Sequence, residues 1–480
     1  MPGISPPEDE LRRAIVDLKS QHPGLGVSKV HSYLLAMYPH WTVSEKRTRK
    51  ILQAEGLTTL AASHVHVAGG GGGGKGASGN YDTSVTVFPT SRVMPHLDTR
   101  RWSPRVAVKY MDNRKGKGLV ATEDIAQGET LWREDPFVIA PEWEIYDLQM
   151  SSAACAFCTT PLNPDSPLVL DCPCSSSSSS SSSPAFASSS SSESYCTARF
   201  CNRLCQSRSA KTHPLVCPLQ NPGSIPLVKF ARETQWMALH ALAETTSRIL
   251  LAHQQQDELG VEAEWQFVRA LAELGLEERY KYSFKSSAEP DRGTWKRAFD
   301  LFVQAFKEPK TTIEQKKLAK ILKKSTRADI GAELFEYSGF LRHLGKMTLN
   351  LEGHGGLYTL HSHLNHSCRP NVSVRHLDQR TALARITVLA KTDVKAGQEL
   401  VVTYVDPEMG LKARRGALEA WGFGECRCER CLEEEAMLSK TSKAMDGIKK
   451  DMESVKKELK DMKDEMEDLE RELKAGLGVM

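Results

Sequence analysis

The chain has 480 residues, 40% of them hydrophobic, which is enough for roughly two to four domains and at least one sizeable core. Its 63 basic and 60 acidic residues give a net charge of +3, which excludes nucleic-acid binding through overall charge alone. The sequence has no apolar run of about 18 residues and no signal-peptide core near its start, so we expect a nuclear or cytoplasmic protein without a membrane partner. In such a reducing compartment, its 12 cysteines predict zinc ligands rather than disulfides.

Residues 8–60 predict a small helical module. They carry apolar residues at helical spacing, and Ser44 followed by Glu45 predicts the start of a third short helix. The basic residues of this helix are Lys46, Arg47, Arg49 and Lys50. Two interpretations stay open: a helix-turn-helix unit that binds DNA directly, and a packed appendage with a solvated basic face.

Folded sequence resumes after a flexible linker, which the small residues of 61–102 and the six glycines 69–74 predict. Residues 106–110 alternate like a strand, and we expect a turn over 112–118 followed by a second strand at 119–121. Alone, a Gly-x-Gly turn between strands is a common hairpin and indicates no ligand.

A cysteine-rich region follows at 155–217, with nine candidate ligands where two tetrahedral zinc ions need eight. The candidates are Cys155, Cys158, Cys172, Cys174, Cys196, Cys201, Cys205, His213 and Cys217. A serine-rich insertion at 175–192 lacks apolar surface and predicts a disordered loop. The insertion leaves the choice between Cys172 and Cys174 open, and we favour Cys172 because it closely follows the apolar segment 168–170.

Residues 227–344 are helical by the spacing of their apolar residues, including Trp236, Leu239 and Leu242. Within them, the basic segment Lys307 to Arg327 is interpreted as a solvated helix face. A docking surface for an acidic or nucleosomal partner is the alternative interpretation.

Three unlike pieces of chemistry lie close together near the end of the chain. The first is Asn365-His366-Ser367-Cys368-Arg369-Pro370-Asn371, a polar and turn-rich motif. The second is the segment from Gly397 to Tyr404, and the third is the thiol trio Cys426, Cys428 and Cys431, one ligand short of a tetrahedral zinc site.

Together with the Gly-x-Gly segment and the cysteine-rich region, these motifs resemble the SET-domain protein-lysine methyltransferases that carry an inserted MYND-type zinc finger. The resemblance covers Arg105 to Cys431 and implies an α+β fold with a β-rich SET core and a pseudoknot. The implied parts are a split SET domain at 103–405, a MYND-like finger at 155–217, a helical insert at 227–344 and a post-SET zinc region at 406–435.

The resemblance also implies the site residues. Tyr404 is the expected catalytic residue that closes a lysine channel, and the expected wall of that channel is Phe423, with Trp421 as the alternative. Contacts to S-adenosylmethionine are implied for Lys117, Gly118, Leu119, Asn365, His366, Tyr404 and Phe423. Three zinc ions are implied, held by Cys155, Cys158, Cys201 and Cys205, by Cys172, Cys196, His213 and Cys217, and by Cys368, Cys426, Cys428 and Cys431.

The activity implied is methyl transfer from S-adenosylmethionine to a protein lysine, with histones as the first expected substrate and non-histone lysines as a second. Such a displacement needs a neutral amine, alignment and a water-poor channel, since the ordinary pKa of lysine is ~10.4. A competing hypothesis is a catalytically silent chromatin adaptor whose MYND-like finger recruits a proline-rich or chromatin partner. Isolated histidines at 354, 361 and 363 are interpreted as structural.

The tail at 440–474 repeats apolar residues at alternating spacings of three and four, which is typical of a coiled-coil seam. The seam residues are Met445, Ile448, Met452, Val455, Leu459, Met462, Met466, Leu469 and Leu473. One interpretation is self-association or a partner helix, and the other is a single charged helix whose apolar stripe packs on its own protein.

Overall fold

The computed structural model describes residues 5–21, 27–54, 88–176, 196–256, 258–281, 290–378 and 382–476. The chain divides into two compact units, Met1–Thr83 and Ser84–Met480. The fold is mixed α+β, with helices and several small sheets. None of the helices in these ranges combines the length and the apolar character that crossing a membrane requires.

The smaller unit holds three helices, α1 (Glu8–Gln21), α2 (Val27–Met37) and α3 (Glu45–Ala54). Their apolar faces form a core that buries Leu11, Ile15, Val30, Leu34 and Leu52. Helix α3 begins where the sequence predicts, because the hydroxyl of Ser44 accepts a hydrogen bond from the backbone N–H of Arg47 at 3.3 Å. The Arg47 guanidinium binds Ser5 and Pro6 at 2.9 Å each, so part of the basic face acts within the unit.

The larger unit contains short strands that come from both ends of its sequence. The strands are β1 (Val106–Asp112), β2 (Gly116–Ala121), β3 (Thr130–Glu134), β4 (Val138–Ile139), β5 (Leu170–Asp171), β6 (Arg199–Phe200), β7 (Gly356–Leu357), β8 (Asn365–His366), β9 (Val372–Arg375), β10 (Ile386–Ala390) and β11 (Glu399–Val402). One sheet has the order β1-β2-β11-β8 and another β3-β10-β9, while β4 pairs with β7 and β5 with β6. Strands separated by more than 200 residues therefore share one core, which includes Leu119, Leu131, Ile386, Val388 and Leu400.

The pairing of β8 with β11 positions the polar motif. This pair is parallel, with Val401 beside Asn365 and Val402 beside His366, whereas β11 pairs with β2 in the antiparallel sense. The β8 segment and the end of β11 consequently leave the sheet side by side, which places the motif next to the segment that ends at Tyr404.

The expected turn over 112–118 is shorter in the structure. The carboxylate of Asp112 accepts the backbone N–H groups of Arg114 and Lys115 at 2.7 Å each, which closes the turn early. Gly116 then adopts a φ of 65°, and β1 and β2 pair from Asp112 and Gly116 onward. The prediction that residues 116–118 form a turn is therefore wrong, since they lie in β2.

Twelve helices lie between β4 and β7 in the sequence of the described residues. They are α4 (Trp143–Met150), α5 (Pro173–Ser176), α6 (Arg203–Ser209), α7 (His213–Val216), α8 (Ile225–Glu233), α9 (Met237–Gln255), α10 (Glu258–Ala270), α11 (Leu276–Lys281), α12 (Arg292–Phe306), α13 (Thr312–Ile321), α14 (Ala328–Phe335) and α15 (Tyr337–Asn350). Helix α9 packs against α8, α10 and α15, and their core buries Leu239, Trp265, Phe302, Phe340 and Leu344.

Two of the segments expected from the sequence lie mostly outside the residues that the structure describes. Most of the expected linker and most of the serine-rich insertion lie outside them. The end of the expected linker, 88–102, belongs to the larger unit, where Thr90 and Glu273 exchange backbone hydrogen bonds of 2.9 and 2.7 Å.

Two helices close the chain, α16 (Leu411–Ala420) and α17 (Glu429–Gly476), the second of 48 residues. The seam side chains from Met445 to Leu473 are between 53% and 69% exposed, so the stripe is not packed on its own protein. The coiled coil stays a prediction, and the structure leaves its apolar seam open to solvent.

Candidate active site and metal centres

Asn365 joins three segments of the candidate site through its side-chain amide. Its Nδ2 donates to the backbone carbonyl of Lys117 and to Oε1 of Glu399, each at 2.9 Å. A Cβ atom on Gly118 would lie 3.1 Å from that nitrogen and 2.7 Å from Cγ of Met111. The glycine therefore permits the close approach of β2 to Asn365.

His366 connects the motif to the end of β11. The backbone N–H of Tyr404 donates to its Nδ1 at 3.0 Å, and its Nε2 lies 3.3 Å from Sγ of Cys368. Burial lowers the pKa of His366 to about 4, so the ring is neutral at pH 7. Since Nδ1 accepts a hydrogen bond, the proton of the neutral ring lies on Nε2, which donates to the sulfur of Cys368.

Tyr404 follows β11 and places its phenol in the same site. Its hydroxyl donates to the backbone carbonyl of Leu364 at 2.6 Å. Its ring centre lies 5.3 Å from the ring of His366 and 5.2 Å from the ring of Phe423. Desolvation raises the pKa of Tyr404 above its ordinary value, so the group is a phenol donor rather than a base. The side chain is 42% exposed, which leaves a face open to an incoming group.

Of the two aromatic residues expected to form the channel wall, Phe423 is the one whose ring contacts Tyr404. The ring of Trp421 lies under the guanidinium of Arg279, 5.7 Å from its centre. The backbone N–H of Phe423 donates to Leu418 at 3.0 Å, at the end of α16, which sets the position of its ring. The aromatic pair is thus formed by Tyr404 and Phe423.

Asn371, the last residue of the motif, acts as a substitute for a strand backbone. Its Nδ2 donates to the carbonyl of Glu399, and its Oδ1 accepts from the N–H of Val401, both at 2.8 Å. The side chain is 7% exposed, so these bonds are shielded from water. Sequence reasoning assigns no role to this residue, although its place in the motif and its amide chemistry offered a signal.

Glu134 is a second residue without a sequence signal, and it fixes the turn before Asn365. Its carboxylate accepts the N–H groups of Leu360 at 2.7 Å and of His361 at 3.0 Å, and the indole N–H of Trp132 at 3.2 Å. The residue is 2% exposed, and burial raises the pKa of Glu134 to about 7.

The side chains of two further residues expected at the cofactor, Lys117 and Leu119, are buried. The side chain of Lys117 is 2% exposed and its Nζ donates to Oγ of Ser362 at 3.2 Å. Burial and the nearby charge of Lys346 lower the pKa of Lys117 to about 7. Leu119 is buried in the core, so both side chains point away from Asn365.

The three histidines interpreted as structural make internal contacts. Nε2 of His354 lies 2.7 Å from the hydroxyl of Tyr358, and Nδ1 of His363 lies 3.0 Å from the carbonyl of Thr359. His361 lies 3.4 Å from the carboxylate of Glu352.

The cysteines gather into three clusters, in each of which the four ligand atoms lie within 4.8 Å of one another. The first cluster is Cys155, Cys158, Cys201 and Cys205, the second is Cys172, Cys196, His213 and Cys217, and the third is Cys368, Cys426, Cys428 and Cys431. Four sulfurs around a tetrahedral zinc with Zn–S bonds of about 2.3 Å stand ~3.8 Å apart. The donor sets and spacings therefore fit zinc.

The first two clusters are built from local structure. Sγ of Cys201 lies 3.6 Å from that of Cys158 and 3.3 Å from that of Cys205 in α6. In the second cluster, Nε2 of His213 lies 3.3 Å from Sγ of Cys172 and 3.5 Å from Sγ of Cys196.

Cys174 stands at the edge of the second cluster. Its sulfur lies 2.8 Å from that of Cys172 and 3.3 Å from that of Cys217. Cys172 is completely buried, whereas Cys174 is partly exposed.

The third cluster joins distant segments. Sγ of Cys368 lies 3.5 Å from that of Cys431 and 4.0 Å from that of Cys426. Arg414 is fully buried beside it, and its guanidinium donates to Sγ of Cys431 at 3.8 Å, to Glu434 at 2.6 Å and to the carbonyl of Met409 at 2.5 Å. No sequence signal marks this arginine, which holds α17 against α16.

The sequence is similar to that of known methyltransferases. The profile of the SET domain family matches residues 116–405. A histone-lysine N-methyltransferase SET5 from Mycosarcoma maydis is 27% identical over 455 residues, covering 89% of this chain and 84% of that protein. Proteins of the same name are 28% identical in Yarrowia lipolytica, with coverages of 90% and 83%, and 23% identical in Saccharomyces cerevisiae, with coverages of 90% and 76%.

Proposed function

The chain belongs to the SET domain family, and from this membership we infer that it is a protein-lysine N-methyltransferase that uses S-adenosylmethionine, with histones as its substrates. Its relatives are named as histone-lysine N-methyltransferases. The observation that carries the inference is the parallel pairing of β8 with β11, which sets Asn365 and His366 beside Tyr404. A histone substrate places the site of action in the nucleus, and activity on non-histone lysines would extend it to the cytoplasm.

The residues at the site fit S-adenosylmethionine. On this proposal, the residues that hold it are Lys117, Gly118 and Leu119 through their backbone, together with Asn365, His366, Tyr404 and Phe423. Gly118 leaves no side chain between β2 and Asn365, and Phe423 offers an aromatic face. When bound, S-adenosylmethionine supplies a methyl group on a positively charged sulfur, which is transferred in line without a metal.

Tyr404 acts on the substrate amine. The bond from its hydroxyl to Leu364 fixes the phenol, whose oxygen keeps a lone pair to orient the amine. Because its pKa is raised, the phenol stays protonated at neutral pH and stabilises charge instead of removing a proton. The substrate ammonium gives its proton to water before transfer, and the desolvating aromatic surroundings of Tyr404 and Phe423 favour the neutral amine that remains.

The three cysteine clusters support binding of three zinc ions. Two would belong to a MYND-like finger at 155–217, which we propose as a docking module for a proline-rich or chromatin partner. The third would belong to a post-SET site that includes Cys368, beside His366. The exposed seam of α17 supports a further proposal, self-association or pairing with a partner helix.

The activity is tested by transfer of a labelled methyl group from S-adenosylmethionine to core histones by the full chain. We expect labelling by the wild type and a loss of about 100-fold or more for Tyr404→Phe, with cofactor affinity retained. Tyr280→Phe is the matched control, because Tyr280 is an exposed tyrosine on α11 whose ring contacts, within the described residues, are to Trp295 and Arg292. Equal labelling by wild type and Tyr404→Phe would remove the catalytic role, and absence of cofactor binding by zinc-replete protein would favour the silent adaptor.

A further inference from the structure

A cavity of about 810 Å³ lies apart from the candidate active site. Its walls come from the cysteine-rich region, from β4 and from helices α8, α9 and α10. Among the described residues, neither Asn365, His366, Tyr404 nor Phe423 lines it. Its volume falls within the range of about 300–1,000 Å³ that is usual for ligand sites. The proposed methyl-transfer reaction therefore assigns no function to this cavity.

One part of the wall is apolar and aromatic. The rings of Phe137 and Phe267 stand 4.5 Å apart and are both buried, and Tyr146, Ile225 and Val228 are further lining residues. Such a surface gains free energy when it is covered by an apolar group. The cavity therefore suits a ligand with an apolar body.

The charged part of the wall is predominantly basic. The lining cations are Arg101, Arg208, Lys211, Lys229, Arg232 and Arg248, and the lining carboxylates are Asp135, Glu244 and Glu264. Arg248 forms an ion pair with Glu264 at 2.8 Å, and Arg208 forms one with Asp135 at 3.1 Å. Asp135 also binds Arg385 at 2.8 Å, so this carboxylate is shared between two cations.

Three of the cations keep no carboxylate partner within the described part of the chain. Arg101, Lys211 and Lys229 form no ion pair there, although each of them lines the cavity. Unpaired positive groups therefore share the wall of one cavity, and an anion bound there would relieve their repulsion.

A buried polar atom in the wall also lacks a hydrogen-bond partner among the residues that the structure describes. His240 is 5% exposed, stacks on Trp143 at 5.6 Å between ring centres, and lines the cavity. Its Nδ1 has no hydrogen bond, while its Nε2 stands 3.8 Å from the carboxylate of Glu244. An unpaired buried nitrogen costs free energy, which a polar atom of a ligand would recover.

We propose that this cavity binds an organic anion with an apolar body. The anionic head would lie among the unpaired cations Arg101, Lys211 and Lys229, and the body against Phe137 and Phe267. The two halves of the wall select for both properties together, since the aromatic surface offers nothing to a small inorganic anion and the cations repel an apolar cation. The site is independent of methyl transfer, and neither its occupancy nor its test depends on that activity.

Calorimetric titration of the full chain with decanoate tests the proposal. Decyltrimethylammonium has the same apolar body with a cation, acetate has the head without the body, and hexaglutamate represents an acidic protein segment. We expect decanoate to bind and the other three to bind at least tenfold more weakly. The proposal is overturned if decanoate does not bind, or if the cationic amphiphile, acetate or the acidic peptide matches or exceeds it.

A double variant places the ligand in this cavity. Arg101→Gln with Lys211→Gln removes two of the unpaired cations and should weaken decanoate binding tenfold or more. The matched control is Arg100→Gln with Lys320→Gln, which removes two exposed cations outside the cavity and should leave the affinity within about twofold. Equal losses in the two double variants would show that decanoate responds to overall charge and would overturn the assignment.

Discussion

The first and third cysteine clusters present nearly the same sulfur geometry but are built in different ways. The first is assembled within residues 155–205, from turns and from α6. The third takes Cys368 from the polar motif and three thiols that begin 58 residues later, at Cys426. Metal at the first cluster would hold a local fold together, whereas metal at the third would hold two distant parts of the chain together.

The difference extends to the candidate active site. Cys368 accepts a hydrogen bond from the neutral ring of His366, whose other nitrogen accepts the backbone N–H of Tyr404. A single chain of contacts thus connects the third cluster to the proposed catalytic tyrosine. Among the described residues, the first cluster makes no such contact with Asn365, His366 or Tyr404. We therefore expect only the third cluster to control cofactor binding.

The largest expected effect follows from Cys368→Ser. The variant should lose one of three zinc ions per chain, release α17 from the motif and weaken S-adenosylmethionine binding by about 100-fold or more. Metal analysis and calorimetry on the same preparation measure both quantities. Cys174→Ser is the matched control, because Cys174 lies at the second cluster. Retention of three zinc ions together with unchanged affinity would break the connection between cluster and site.

The next largest effect concerns the fully buried Arg414. Replacement by leucine removes the cation beside the sulfur of Cys431 and leaves Glu434 paired with Arg430 alone, and should lower the free energy of unfolding by about 3 kcal/mol through the lost hydrogen bonds of the buried guanidinium. Arg415→Leu is the neighbouring control, since Arg415 pairs with the exposed Glu425 and Glu435 and should cost about 1 kcal/mol or less. Denaturant unfolding measures both, and equal losses would show that Arg414 has no special role beside the third cluster.

A third effect depends on pH and on Glu134. Its pKa of about 7 in the folded chain exceeds its ordinary value of 4.5, so the folded state binds more protons between these values. Its contribution to stability is fully present below about pH 4.5 and is lost as the pH rises through about 7. The difference in unfolding free energy between the wild type and Glu134→Gln should fall by about 3 kcal/mol over this interval.

The comparison with Glu134→Gln is needed because buried histidines act in the opposite direction. Desolvation lowers the pKa of His240 to about 4, so this residue stabilises the fold as the pH rises. Subtracting the variant cancels that contribution. A difference that stays flat between pH 4.5 and 7.5 would contradict the burial effect assigned to Glu134.

The smallest effect is expected from Cys205→Ser in the first cluster. The variant should lose one zinc ion and local order in the cysteine-rich region, while its affinity for S-adenosylmethionine changes by less than about threefold. Calorimetry with zinc analysis measures this as for Cys368→Ser. A loss of affinity as large as that of Cys368→Ser would abolish the distinction between the two clusters.

Short motifs of unusual composition predict the site. Residue type and order in these motifs indicate Asn365, His366 and Tyr404, and the structure brings the three residues together. The parallel pairing that joins them has no signature in the spacing of apolar residues, because β8 and β11 are only two and four residues long. Their meeting therefore follows from the family resemblance and the fold, and not from local pattern.

Residues that act over long distances had no sequence signal. Glu134 binds backbone atoms 226 residues later, and its neighbourhood resembles any strand end. Arg414 lies in a helix with no unusual sequence pattern, and its burial depends on α17, which comes later in the chain. The cations of the 810 Å³ cavity come from separate segments, so no stretch of sequence shows their accumulation. The misplaced turn at 116–118 has a local cause, the early closure by Asp112.

We expect metal at the third cluster to organise the site where the cofactor binds. Calorimetric titration of the full chain with S-adenosylmethionine, before and after zinc removal with a chelator and after zinc is returned, tests it most directly. We expect binding at first, at least a 100-fold loss of affinity in the zinc-free chain, and recovery when zinc is restored. Unchanged affinity in the zinc-free chain would contradict it.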